Sequence, residues 1–237
     1  MMHVTYVDML AALAIDSAHP GGEAMTEEMI AHEAFEKSHR LLDIGCGTGK
    51  TAYRLAKALN SQIDAVDNHP NMVMKASKQL EAFSNVTVHQ ASIEHLPFPN
   101  AVFDGIISES VFAFCDTKKA FKECYRTLKS GGTLYLNEMC LIHPVEPADY
   151  EEIQTFYTLS GIRTVNEWID EVIQAGFVNT ELIEAKEIAM AANKTPYEVQ
   201  LTPNIDLHYL DLLDEHEKLV KKYKNHLGYI VIRCLKV

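Results

Sequence analysis

Apolar positions along the chain follow two periods in turn: short continuous runs, then stretches in which apolar residues return every third or fourth position. The run Leu41-Leu42-Asp43-Ile44 follows polar Ser38-His39-Arg40 and reads as a strand, broken by Gly45 to Gly49. A helix is predicted next, with Ala52, Leu55, Ala56 and Leu59 on one face. Ile63-Asp64-Ala65-Val66 reads as the second strand. His69-Pro70 opens the following helix, because proline's missing N–H would have no partner at the first helical position anyway. Val86-Thr87-Val88 and Phe103-Asp104-Gly105-Ile106-Ile107 read as the third and fourth strands. Asp116 or Thr117 is expected to cap a helix that turns Ala120, Phe121, Cys124 and Leu128 inward and ends before Gly131-Gly132. Thr133-Leu134-Tyr135-Leu136 is the fifth strand. Thr164-x-x-Glu167 carries the capping-box pattern of a helix expected to bury Ile169, Val172 and Ile173 and to stop at Gly176. Gly228 to Ile232 reads as a closing strand.

This alternation predicts an α/β fold with a mostly parallel sheet and helices on both faces. No repeat and no Pro/Gly/Ser linker divides the chain, so residues 1–237 are expected to form one domain. Three regions depart from the rhythm: residues 1–38, about 141–163 and about 190–226. The first holds two helical patterns around His19-Pro20-Gly21-Gly22, and the last a polar loop and then a charged helix with Leu207, Leu210, Leu213 and Leu219. Such segments are expected to cover the ligand end of the sheet.

Composition narrows the function classes. Lys and Arg total 21 against 33 Asp and Glu, a formal net charge of −12, whereas a protein that clamps a phosphate backbone needs a basic surface. A nucleic-acid partner is therefore not expected. No apolar stretch reaches membrane-helix length, and Met1-Met2-His3-Val4 lacks the basic start of a signal peptide. The five cysteines are odd in number and form no CxxC pair, and the eleven histidines are scattered without an HExxH pattern. Neither a disulfide framework nor a metal site is expected, and buried thiols fit a reducing cytoplasm.

The informative stretch is Asp43-Ile44-Gly45-Cys46-Gly47-Thr48-Gly49-Lys50-Thr51, between the first strand and the first helix of the alternating series. A phosphate-binding G-x-x-x-x-G-K-[ST] loop would need its first glycine at Ile44. A dinucleotide G-x-G-x-x-G fingerprint would need its third glycine at Lys50, where a cation and a long side chain would keep the helix from packing closely. What remains is D-x-G-x-G-x-G, in which glycines permit positive φ and a close backbone approach to a ligand. Asp67 ends the second strand 22 residues after Gly45, where a carboxylate can accept bonds from ribose hydroxyls or cap the next helix.

Together with Ala91-Ser92-Ile93-Glu94-His95-Leu96-Pro97-Phe98, Phe103-Asp104 and Arg126-Thr127-Leu128-Lys129-Ser130-Gly131-Gly132, this order of motifs resembles the class I S-adenosylmethionine-dependent methyltransferases. It is similar in particular to their ubiquinone/menaquinone-type small-molecule group, over about residues 40–140. The resemblance implies a Rossmann-like, doubly wound sheet of seven strands with an N-terminal helical cap (1–38), a cofactor-binding core (39–140) and a C-terminal half with inserted helices (141–237). It implies S-adenosyl-L-methionine as cofactor, S-adenosyl-L-homocysteine as product and a small organic molecule as acceptor. Asp43, Gly45, Cys46 and Gly47 would line the methionine end, Asp67 would hold the ribose, and Asn68, Ser92 and Ile93 would flank the adenine, with Ser108 near the methionine. Ser92 stands where the family often has Asp, which weakens the bond expected to the adenine amino group. Ser130 replaces the usual Pro of the K-P-G-G turn.

Methyl transfer from a sulfonium is an in-line displacement, so a base is needed only where the acceptor carries a proton that must leave. Candidates are Glu109, Glu138 and His19, although each carboxylate could instead cap a helix or bind backbone amides, and His19 could simply order its turn. Ser108-Glu109-Ser110-Val111 stands where amide and base N-methyltransferases carry Asn-Pro-Pro-Tyr, which removes that acceptor class. Tyr6, Met25, Met29, Tyr150, Phe156 and Tyr157 could line an apolar acceptor pocket or pack helices. The alternatives are a non-catalytic methyltransferase-like module, an RNA or protein methyltransferase, which the charge disfavours, and a nicotinamide oxidoreductase, which Lys50 disfavours. Asp104 is expected to serve the fold.

Overall fold

A computed structural model describes residues 4–15, 22–33, 35, 39–59, 61–188 and 206–237. Seven strands, β1 (Arg40–Ile44), β2 (Gln62–Asp67), β3 (Val86–Gln90), β4 (Phe103–Glu109), β5 (Leu128–Leu141), β6 (Val178–Glu187) and β7 (Leu227–Leu235), form one sheet in the order β3-β2-β1-β4-β5-β7-β6. The five strands from β3 to β5 run parallel, and β7 lies antiparallel to both β5 and β6.

Alternation along the strands decides which helices cover each face. Leu42, Ile44, Ile106, Leu134, Leu136, Ile230 and Ile232 point to one face. There they meet Ala120, Phe121 and Cys124 of α5 (Thr117–Thr127) and Trp168 and Val172 of α7 (Val165–Gln174). Leu41, Ile63, Ala65, Ile107, Tyr135 and Val231 point to the other. That face is covered by α2 (Gly22–His32), α3 (Lys50–Ala58) and α4 (Pro70–Leu80). A third cluster joins α1 (Tyr6–Leu13), α6 (Pro147–Tyr157) and α8 (Leu207–Tyr223) through Tyr6, Met9, Leu13, Ile153, Tyr157, Leu219 and Tyr223, and includes Leu141 at the C-terminal end of β5.

The caps follow the sequence closely. Asp116 accepts from the amides of Lys118 and Lys119, His69 caps α4 with Pro70 in its first turn, and Thr164 and Glu167 close a reciprocal capping box on α7. Asp104 accepts from the Arg40 amide and the Lys129 ammonium, both at 2.8 Å, and so joins β1 to the start of β5. Two expectations need correction. Ile173 is 54% exposed; Trp168 fills that side of α7 instead, its indole N–H bonded to the Met139 carbonyl at 3.0 Å. β6 is not among the strands legible in the pattern, because it is a sheet edge whose residues are nearly all exposed or half-buried, with register shifts on both sides of Glu181–Leu182. The polar loop expected before α8 falls within 189–205, outside the described residues.

Candidate functional site

The strand order reverses its direction of growth between β1 and β4, and in an open α/β sheet the crevice for a ligand lies beyond the carboxyl ends of the strands at that switch. Ile44 and Ser108 are register partners there, and Asp67 ends β2 beside them. The Gly45 and Cys46 amides both donate to the Val66 carbonyl, at 2.8 and 3.0 Å. The Gly47 amide donates to one oxygen of Asp67 at 2.9 Å and the His69 amide to the other at 2.8 Å. Asp43 accepts from the Ala52 amide at 3.0 Å, which ties the end of β1 to α3.

The three glycines have different duties. All have positive φ, +67° at Gly45, +54° at Gly47 and +93° at Gly49. A Cβ on Gly45 would lie 2.1 Å from Val111 Cγ2, and one on Gly49 would lie 2.9 Å from Leu80 Cδ1. A Cβ on Gly47 would meet nothing within 4 Å. Gly45 and Gly49 are therefore set by packing, whereas Gly47 borders open space.

Carboxylates crowd this loop. Burial pushes the Asp43 carboxyl well above its ordinary range, and the charges of Glu109 and then Asp67 push it the same way. Burial also raises Asp67, against the bonds from the His69 and Gly47 amides. Glu109 accepts from the hydroxyls of Thr26 on α2, at 2.8 Å, and Thr51 on α3, at 2.7 Å. The Ser108 hydroxyl is buried and has no hydrogen-bond partner among the described residues. Burial, with the charges of Asp43 and Asp67, raises the Cys46 thiol and so favours its protonated form.

The remaining candidates sort as follows. Asn68 is exposed, and its carbonyl accepts from the Gln90 side chain at 3.4 Å. Ser92 is half-buried, and its hydroxyl accepts from the Glu94 amide at 3.2 Å. Ile93 is 6% exposed and packs into the core with Leu42 and Val66. Glu138 is fully buried and accepts from the amides of Val111, Phe112 and Ala113, which is the backbone-binding alternative for this residue. His19 lies outside the described residues. Met25 and Met29 belong to the core under α3; Tyr6, Phe156 and Tyr157 stack in the cluster of α1, α6 and α8.

Sequence reasoning missed several partners. Asp8 accepts from the side chain of His69 at 3.3 Å and so ties α1 to the loop after Asp67. The Thr5-x-x-Asp8 spacing signals the cap of α1, but nothing local signals His69. His216 pairs through Nδ1 with the Tyr157 hydroxyl at 2.9 Å beneath Tyr6, and burial lowers its pKa to about 4. Among the described residues no group of three or more His, Cys, Asp or Glu could hold a metal, and no helix is long and apolar enough to cross a membrane.

Residues 42–136 match the family described as "Methyltransferase domain". An uncharacterized methyltransferase of Bacillus subtilis (strain 168), YodH, is 32% identical over 235 residues, covering 98% of this chain and 99% of that protein. The chloroplastic 2-methyl-6-phytyl-1,4-hydroquinone methyltransferase 2 of Oryza sativa subsp. japonica is 32% identical over 117 residues, 48% of this chain and 32% of that protein. Among solved structures, Haemonchus contortus phosphoethanolamine N-methyltransferase 2 with S-adenosyl-L-methionine superimposes with a TM-score of 0.76 at 20% identity. The match covers 97% of this chain but only 57% of that one. The [4+2]-cyclase SpnF superimposes with a TM-score of 0.75 at 19% identity, over 99% of this chain and 94% of that one. Likeness at this level establishes the fold, and a fold shared by a cyclase and a methyltransferase leaves the chemistry to the site.

Proposed function

The chain belongs to the methyltransferase-domain family, and from that premise we propose that the crevice at the ends of β1, β2 and β4 takes S-adenosyl-L-methionine for methyl transfer to a small organic molecule. The chain is an S-adenosylmethionine-dependent methyltransferase, and S-adenosyl-L-homocysteine is its product. The observation that carries the site is the set of carboxylates Asp43, Asp67 and Glu109, whose charges act on one another at the glycine loop, where Gly47 bonds Asp67 and borders open space. A ligand bearing an ammonium and a sulfonium relieves their repulsion, whereas a pyrophosphate would add to it.

When bound, the cofactor supplies an electrophilic methyl group that the acceptor displaces in line. The protein's own part is to bind, orient and exclude water. Each oxygen of Asp67 accepts one amide bond and keeps lone-pair capacity for the ribose hydroxyls. Asp43 and Glu109 set the negative field for the ammonium end, with Thr26 and Thr51 fixing the Glu109 rotamer. Ser108 has a hydroxyl to spare at the methionine end. Asn68 and Ser92 flank the adenine, and Ile93 backs it from the core.

The acceptor side is the cluster of α1, α6 and α8, where half-buried Leu10, Phe114, Phe156, Leu210 and Leu213 edge the packed aromatics. This apolar wall supports an acceptor with an apolar face and, with the likeness to the hydroquinone methyltransferase, a place near the ubiquinone/menaquinone-type group. We assign residues 1–38, 39–140 and 141–237 as cap, cofactor core and C-terminal half of one domain. The five free thiols, four of them buried, fit a cytoplasmic location.

Calorimetric titration with S-adenosylmethionine and S-adenosylhomocysteine tests the site. Micromolar binding of both is expected. Absence of binding by a cooperatively folded protein would overturn the placement.

A further inference from the structure

Glu138 is a buried carboxylate that the transfer step leaves without a duty. It sits on β5 one residue past Asn137, the register partner of Glu109, and is 0% exposed. Its oxygens receive three consecutive amides, Val111 at 2.8 Å, Phe112 at 2.9 Å and Ala113 at 3.3 Å. These amides belong to the turn that leaves β4 through Ser110, a non-glycine residue held at φ +58°, a conformation that persists only where its surroundings enforce it. At one end of this turn the Val111 side chain lies against Gly45, close enough to forbid a Cβ there. At the other, the Ala113 carbonyl accepts from the Ser160 amide and hydroxyl, at 2.8 and 3.0 Å, in the segment after α6. One carboxylate thus holds a turn that touches both the glycine loop and the segment after α6.

We infer that Glu138 is a positioning residue, which by gripping the 111–113 amides sets Val111 against Gly45 and so fixes the floor on which the cofactor sits. The inference rests on the glycine loop being the cofactor site. Three N–H donors need an anion. A protonated carboxyl turns one of its oxygens into a donor and cannot serve all three equally. Burial raises the Glu138 pKa to about 7, opposed by the three amides and by Arg163. The other titratable group it faces is Cys115, which follows the turn and whose thiol it helps to raise; across the sheet its partner on β7 is apolar Ile230. The grip is complete above that pKa and weakens below it.

The test is titration of the full chain with S-adenosylhomocysteine at several pH values from about 6 to about 8, for the wild type and Glu138→Gln. Asp43 and Asp67 are present in both proteins, so the difference between the two profiles belongs to Glu138. Glu138→Gln is expected to bind about tenfold more weakly at the upper end, with the gap closing toward the lower end as the wild type loses its anion. A gap that does not change with pH, or no gap, would overturn the inference. Val111→Ala, which leaves the carboxylate bonds in place, is expected to weaken binding several-fold while keeping the wild-type pH profile. Unchanged affinity in that variant would overturn it even if Glu138→Gln fails to fold. No binding by the folded wild type would bring down the cofactor reading and this inference with it, an outcome distinct from the others.

Discussion

Gly47 and Asp67, 20 positions apart, meet through one amide bond, and the glycine loop is tied to β2 by the Gly45 and Cys46 amides. Tyr157 and His216, 59 positions apart, meet through their side chains, and the Tyr6 ring packs against both. The side of the crevice proposed for the cofactor is thus made of strand ends, glycines and acids, and the side proposed for the acceptor of aromatic packing among three helices far apart in the chain. The first arrangement holds one fixed ligand by geometry that few substitutions leave intact. The second can change its lining while keeping its volume.

This contrast predicts where substitutions should act. The largest effect is expected at Gly45→Ala, where a Cβ must displace Val111 at a positive φ, a loss of about 3 kcal/mol in denaturant unfolding. Gly47→Ala has room for its Cβ and should cost only about 1 kcal/mol of stability while weakening cofactor binding about tenfold. Equal stability losses would erase the distinction between the packed glycine and the open one.

A comparable effect should come from the acceptor side through pH. His216 stays neutral in the fold down to about 4 but takes a proton at its ordinary value when unfolded. Its contribution is therefore full above about pH 6.5 and lost as pH falls, by about 3 kcal/mol at the low end of the window. Glu138 works with the opposite sign. Its fold holds the proton up to about 7, so its contribution is present in acid and lost as pH rises. Denaturant unfolding of His216→Gln beside the wild type at two pH values isolates the histidine, and an identical pH slope in both would refute its role.

Asp67→Ala should cost about 2 kcal/mol of cofactor affinity with the fold retained, measured by calorimetry. The smallest effect is expected at Asp104→Asn. Burial pushes the Asp104 carboxyl up, but the Arg40 amide and the Lys129 ammonium outweigh it and hold it below its ordinary value. Loss of that pairing should cost about 1 kcal/mol of stability and leave affinity unchanged; native melting with lost binding would contradict it.

The same contrast explains what could be read from the chain. β1 to β5 and their caps were legible because their signals are local: apolar runs, a capping Asp116, the Thr164 and Glu167 pair, the glycines after Asp43. β6 was not, since an edge strand such as Val178–Glu187 buries too little to show a strong alternation. Ile173 misled because the helical period admits two neighbouring faces, and Trp168 occupies the inner one. The contacts of Val111 with Gly45, His69 with Asp8 and His216 with Tyr157 could not be read, because each joins residues remote in sequence.

The Val66 carbonyl receives both the Gly45 and the Cys46 amide, so the start of the glycine loop continues the pairing of β1 with β2 and is not a flap above the sheet. A ligand arriving at such a surface finds its seat already formed. Association at that end should then be limited by encounter and orientation, with little entropy of ordering left to lose. On the proposed placement of the acceptor, any slow, conformationally gated step in turnover is then expected on the helical side.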